Sequence, residues 1–174
     1  MNMKKPNGYT LVELIVSVGL FALVMLLASG AYLLMIGLNQ QVQGIATGID
    51  NLSFAVEAMA RDIRTGSAYN CAGLGDCPSG GSSFSFKNAA GVTVSYSLNG
   101  STLQEIVGGG SPMILTDPSV TITSLTFYAV GTVPRDAYQP HVTIIVAGTV
   151  SAGAGKPSQS FTIETGATMR GSDI

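Results

Sequence analysis

The residue with the clearest chemical demand is Glu13, a carboxylate at the head of a long apolar run. From Leu14 to Leu38 the chain carries no formal charge over 25 residues. A carboxylate in a membrane helix costs about 2.5–3.5 kcal/mol on insertion scales, so such residues tend to be paired and functional. A cation would satisfy it, and so would water at the edge of the run. Gly8 stands five residues earlier, with Lys4 and Lys5 before that. The other reactive types are Cys71, Cys77 and a single histidine, His141. A hydrolase needs a nucleophile with an adjacent base, and His141, after Pro140 at the start of a strand-like run, reads as a surface or strand-edge residue. No Gly-x-Ser-x-Gly elbow, phosphate-cradling loop or His-rich metal spacing occurs. Gly108-Gly-Gly-Ser-Pro112 is followed by no lysine and opens no helix, so it reads as a flexible loop. Asp76, Asp117 and Asp136 sit in turn contexts that favour Asp locally. No catalytic residue is expected.

Cys71 and Cys77 are separated by Ala-Gly-Leu-Gly-Asp. A tetrahedral metal site wants four ligands, and His141 is distant in sequence, so no metal and no cofactor are expected. An even pair closing a short Gly-rich loop suits a disulfide in an oxidising compartment. Two independent reduced thiols are the alternative.

The elements that would position these groups start with the apolar run itself. Hydrophobic residues make up 46% of the 174, and charged residues 10%, against about 25% charged in soluble domains. The formal net charge is −2 and the basic residues are scattered in sequence, so no nucleic-acid footprint is expected. Leu14–Leu38 would extend about 37 Å as helix, enough to cross a hydrocarbon core of roughly 30 Å with some tilt. Lysines before the span and an acidic balance after it predict a cytoplasmic N-terminus and an exported body. The rival is a secretory signal peptide cut at Ala28-Ser29-Gly30. It is disfavoured because the apolar run continues past that site and an acid stands inside its start.

Beyond Leu38 the pattern becomes amphipathic. Val42, Ile45, Ile49, Leu52, Val56, Met59 and Ile63 recur at alternating intervals of three and four, a single helix stripe. Glu57 and Arg61 have the i,i+4 spacing of a helix ion pair, and Gly66 is a candidate stop. One helix of about 55 residues, on the order of 80 Å, is expected. Strand patterns follow at Phe84–Lys87, Val92–Leu98, Thr102–Val107, Ser119–Val130, His141–Val150 and Ser160–Thr165, with Asn99-Gly100 as a hairpin turn. Val120 and Ile122 are out of phase with Leu125 and Phe127, which predicts a bulge between them. The strand from His141 is apolar on both faces and is a candidate for the sheet centre. The expected fold is α+β, with a long N-terminal helix covering an antiparallel sheet. The predicted divisions are a leader at 1–8, a spanning helix at 9–38, its amphipathic continuation at 39–66 and an exported β-rich head at 67–174.

The stretch Lys4-Lys-x-x-Gly8, then an aromatic residue and Thr10-Leu-Val-Glu-Leu-Ile-Val16, resembles the prepilin cleavage and methylation motif of type IV pilins and type II secretion pseudopilins. The resemblance covers about residues 4–30 and fixes Gly8, Glu13 and their separation ahead of an apolar helix. It implies cleavage between Gly8 and Tyr9 by a prepilin peptidase, N-methylation of Tyr9, and assembly guided by Glu13. The implied partners are other pilin or pseudopilin subunits, an inner-membrane assembly platform and the lipid bilayer. The implied location is the inner membrane, then a filament in the periplasm or at the cell surface. Many pilins carry a proline near the position held here by Gly30. The head is similar to J-type minor pseudopilins and related minor pilins around Phe54–Arg64, Leu125–Phe127 and Phe161–Arg170. Glu13 argues against the K-type tip subunit, and the few acids after Asp136 argue against the calcium loop of major pseudopilins. The expected role is a minor pilin or pseudopilin subunit. The alternatives are a filament-displayed binding module using loops 67–82 and 108–118, or a lone single-pass membrane protein.

Overall fold

The computed structural model describes residues 8–73, 75–133, 138–152 and 157–170. The leader lysines Lys4 and Lys5, and Asp136, lie outside them. Helix α1 spans Leu11–Thr65, and the chain divides into two compact units, Met1–Gln40 and Gln41–Ile174.

In the first unit the helix is unbroken, including at Gly19 and Gly30. Its two serine hydroxyls are satisfied within the helix: Ser17 Oγ donates to the Leu14 carbonyl at 2.9 Å and Ser29 Oγ to the Met25 carbonyl at 2.8 Å. Backbone and hydroxyl groups satisfied this way are compatible with hydrocarbon. The most apolar 18-residue window of α1 is 0% buried within the chain.

In the second unit, nine strands form two antiparallel sheets among the described residues. The strands are β1 (Ser67–Cys71), β2 (Cys77–Gly81), β3 (Ser83–Lys87), β4 (Thr93–Asn99), β5 (Thr102–Val107), β6 (Met113–Ile114), β7 (Val120–Val130), β8 (His141–Ser151) and β9 (Ser158–Thr168). The sheet orders are β1-β3-β4-β5-β6 and β2-β7-β8-β9. The expected antiparallel head is therefore two sheets, not one. Segment 67–82, expected as a loop, supplies β1 and β2, one to each sheet. Its Ser-, Asn- and Gly-rich composition hides them, because their partners β3 and β7 supply the apolar faces.

The core is one cluster shared by the helix and both sheets. Phe84 of β3 stacks on Phe127 of β7, with ring centroids 5.4 Å apart, and so joins the sheets. From α1 come Leu52, Val56, Met59 and Ile63, as the stripe predicts, together with Gly48, Ala55 and Ala60. Val42 is 63% exposed and falls outside the buried stripe. The register of β7 on β8 shifts between Ile122 and Ser124, so Val120 and Ile122 share the core face with Leu125 and Phe127. The bulge stands where the phase break puts it. β8 lies inside its sheet with Val142, Ile144, Val146 and Val150 fully buried.

Two turn readings change. Asn99 pairs with Thr102, so the β4–β5 turn is Gly100-Ser101, with only Gly100 at positive φ. Glycine at the first central position, with φ positive there alone, is the φ pattern of a II′ turn, which matches strand twist as well as Asn-Gly would. Gly66 follows the last helical residue, but its φ is not left-handed. A Cβ there would lie 2.3 Å from Phe86 Cδ2, so close packing excludes a side chain.

Gly48 shows how closely α1 approaches the sheet. Mid-helix glycine costs about 1 kcal/mol relative to alanine, so its place needs a steric reason. A Cβ on Gly48 would lie 2.3 Å from Cγ2 of Val150, itself fully buried and unable to retreat. A Cβ on Gly44 would meet Ala152 at an ordinary 3.4 Å. Gly48→Ala is expected to destabilise the head by about 1–3 kcal/mol, and Gly44→Ala to stabilise it by up to about 1 kcal/mol. Denaturant unfolding of the two variants checks the opposite signs.

Candidate functional site

The site at the N-terminus is built on the first turn of α1. Thr10 precedes the helix and caps it: its carbonyl accepts from the Leu14 N–H at 3.2 Å and its Oγ1 from the Glu13 N–H at 3.3 Å. Thr10-x-x-Glu13 is the spacing of a capping box, a signal that the sequence carries in plain view and that the pairing argument for Glu13 passes over. It gives Glu13 a local role, because an acid in the first turn also favours the helix dipole. That role does not consume its side chain. Among the described residues the Glu13 carboxylate accepts no hydrogen bond.

Tyr9 is 86% exposed. A Cβ on Gly8 would meet nothing within 4 Å among the described residues, so no contact with them requires glycine there. Gly8, Tyr9 and Glu13 thus stand together at one exposed helix start. The apolar side chains that follow, Leu11 through Leu38, are exposed along the whole segment.

The head brings together other groups. Cys71 and Cys77 are bonded, with Cα atoms 5.9 Å apart. Their bridge ties the end of β1 to the start of β2, and hence one sheet to the other. Both sulfurs are buried and lie against the Phe127 carbonyl, at 3.7 and 3.4 Å. A Cβ on Gly81 would stand 2.7 Å from Cys71 Sγ, which explains the glycine. Next to the bridge, Asp76 accepts from the N–H groups of Gly131 and Thr132, at 3.2 and 2.7 Å, and from the Thr132 hydroxyl at 2.6 Å. These bonds, led by the Thr132 hydroxyl, hold the carboxyl below its ordinary value. Asp117 accepts from the Ser119 hydroxyl and N–H, at 2.6 and 2.8 Å, which lowers its pKa in the same way.

His141 sits at the exposed start of β8, its Nδ1 3.0 Å from Thr168 Oγ1 and its Nε2 3.4 Å from Thr143 Oγ1. Among the described residues, its side-chain hydrogen-bond partners are these two threonines. Among the described residues, no group of three or more His, Cys, Asp and Glu could hold a metal ion.

A long apolar N-terminal helix whose later turns pack on antiparallel sheets is the pilin-like α+β architecture. Residues 3–29 match the family model described as the prokaryotic N-terminal methylation motif. The N-terminal segment thus carries the methylation motif that marks type IV pilins and pseudopilins. No curated protein and no solved structure matches the chain.

The Asp76 carboxylate has a testable pH signature. Its pKa is depressed on folding below the ordinary 3.8. Its contribution is therefore complete above the unfolded value and is lost as pH falls through the folded one. Asp76→Asn is expected to cost about 1–2 kcal/mol at neutral pH. The difference from the parent should shrink below about pH 4 and vanish in stronger acid. Thermal unfolding of both proteins across that range checks it.

Proposed function

We propose that this chain is a membrane-anchored minor pilin or pseudopilin precursor. It is cut between Gly8 and Tyr9 by a prepilin peptidase, methylated at the new Tyr9 amine, and assembled with other pilin-like subunits into a filament. The observation that carries this reading is the methylation motif at residues 3–29 on a helix whose apolar surface is left uncovered by its own chain.

The chemistry follows from charge. Removing Lys4 and Lys5 takes the basic count from 8 to 6 against 10 acids. It also creates an ammonium at Tyr9, four residues before Glu13. In an apolar medium a carboxylate seeks a cation, since an uncompensated buried charge is costly. Thr10 has already met the Glu13 amide, so the carboxylate is free for a partner. The amine of a neighbouring subunit can supply it and set the axial stagger as subunits add. The open space around Gly8 supports a requirement imposed from outside the chain, such as a peptidase surface that tolerates no side chain. Lipid covers the Leu11–Leu38 surface before assembly, and other subunits' helices cover it afterwards. The small residues Gly19, Ala28, Ser29 and Gly30 would let helices approach closely.

Mass spectrometry of the mature protein is expected to find a chain beginning at Tyr9 and one methyl group heavier than its sequence. A chain beginning elsewhere, for instance after Gly30, would refute the reading. Glu13→Ala is expected to be processed normally yet enter filaments on the order of tenfold less often, given the cost of a charge left unpaired. Quantitative immunoblotting of sheared filaments against membranes reads that ratio.

A further inference from the structure

The last helical turns of α1 carry opposite charges on their two flanks. On one flank lies a cavity of about 250 Å³ between the helix and strands β4, β5 and β6. Its rim is apolar and open: Phe54 is 75% exposed and Ile114 58% exposed. Its floor is acidic. The Tyr96 hydroxyl lies 3.1 Å from Asp62 Oδ2 and 3.3 Å from Glu105 Oε1. A phenol has one proton, so it serves one carboxylate at a time and leaves the other without that donor. Burial first, and then the two carboxylates, push the Tyr96 pKa up. The phenol keeps its proton.

The adjoining flank carries Arg61 and Arg64 beside Glu57. Arg61, Arg64 and Arg170 line a second cavity of about 270 Å³ beside Thr65. Arg61 and Arg64 are neighbours on α1, and the fold brings Arg170 to them, where its N–H donates to the Arg64 carbonyl at 2.9 Å. Arg64 also donates from its guanidinium to the Gly166 carbonyl at 3.0 Å. Among the described residues, the side chains of Arg61 and Arg170 make no hydrogen bond or ion pair. Positions 54, 58 and 62 follow one helix flank, and 57, 61 and 64 the next one round. Both cavities therefore lie along the last turns of α1, within the same compact unit.

We propose that the Phe54-rimmed acidic groove of one copy receives an arginine from the Arg61–Arg64–Arg170 flank of a second copy. The fit is chemical. An arginine has an apolar stem to lie along Phe54 and Ile114, and a planar head with five donors for two carboxylates and a phenol oxygen. Phe54 adds an aromatic face for the cation. The occupant is a second copy because this chain itself carries the complementary charge, on the adjoining flank. Such a contact joins two different surfaces, so it repeats from copy to copy in place of closing a pair. The inference rests on the assembly reading above and adds the head surface through which copies meet.

The test uses the full-length chain, expressed as two differently tagged copies in bacterial membranes, with photoreactive benzoylphenylalanine incorporated at Phe54. Irradiation is expected to join the two tags, with the adduct mapping beside Arg61 or Arg64. Glu105→Arg alone, or Arg61→Glu alone, should lower the adduct about tenfold by placing like charges together. Co-expressing the Glu105→Arg copy with the Arg61→Glu copy makes both pairings attractive again and should restore at least about half the signal. That recovery cannot come from misfolded heads. Adducts only to a different protein, or single variants that crosslink like the parent, would overturn the proposal. The N-terminus of the same sample is read by mass, so loss of the contact in chains starting at Tyr9 overturns this inference alone. A chain never cut at Tyr9 counts instead against the processing reading.

Discussion

An apolar helix surface that its own chain never covers sets the terms for this molecule. From Leu11 to Leu38 the side chains are exposed on every face, and such a surface in water would drive association without direction. Lipid relieves it by solvation and other helices relieve it by packing, and the same surface suits both. Direction must come from something polar. Glu13 is the one formal charge between Tyr9 and Leu38, so it alone can tell one axial position from another. Its amide is spent on the Thr10 cap, and its carboxylate is not. One residue thus closes the helix end and stays available for a partner, a division of labour between backbone and side chain.

The second half of α1 meets the opposite condition. Leu52, Val56, Met59 and Ile63 are buried, and Gly48 lets the helix backbone come down onto Val150 without a gap. The helix enters the head as an integral core element, packed against both sheets through one apolar cluster. The Cys71–Cys77 bridge and the Phe84–Phe127 stack hold the two sheets to each other. Asp76 fastens the loop between the cysteines to residues 131 and 132. Each of these ties joins segments that the chain order alone would leave apart.

What could be read from the residues depended on where the physical cause lies. The spanning run, the later stripe and the phase break in β7 are local patterns, and periodicity carries each of them. The capping box is also local, with Thr10 three residues before Glu13 and bonded to its amide. β1 and β2 were not legible, because Ser67–Cys71 and Cys77–Gly81 are strands through their neighbours and not through their own apolar alternation. The turn at Gly100-Ser101 sits one residue from the Asn-Gly signal because the register of six β4–β5 pairs places it there. Gly66 looks like a helix stop from sequence, but Phe86, twenty residues on, is what forbids a side chain. Non-local packing decided all three.

Charge distribution carries the last step. Only 10% of the residues are charged, yet four of the eight from Glu57 to Arg64 are. A surface this poor in charge has few means of choosing partners, since apolar contact discriminates weakly and hydroxyls are spread widely. Opposite charges gathered on adjoining helix flanks therefore carry a disproportionate share of recognition. The gathering also follows from the fold: α1 must present its stripe to the core, so its remaining positions fall on two flanks. β5 brings Glu105 to one of those flanks, and the segment after β9 brings Arg170 to the other. A helix committed at one end to an apolar environment thus shows, at its other end, the polar asymmetry by which one head can orient the next.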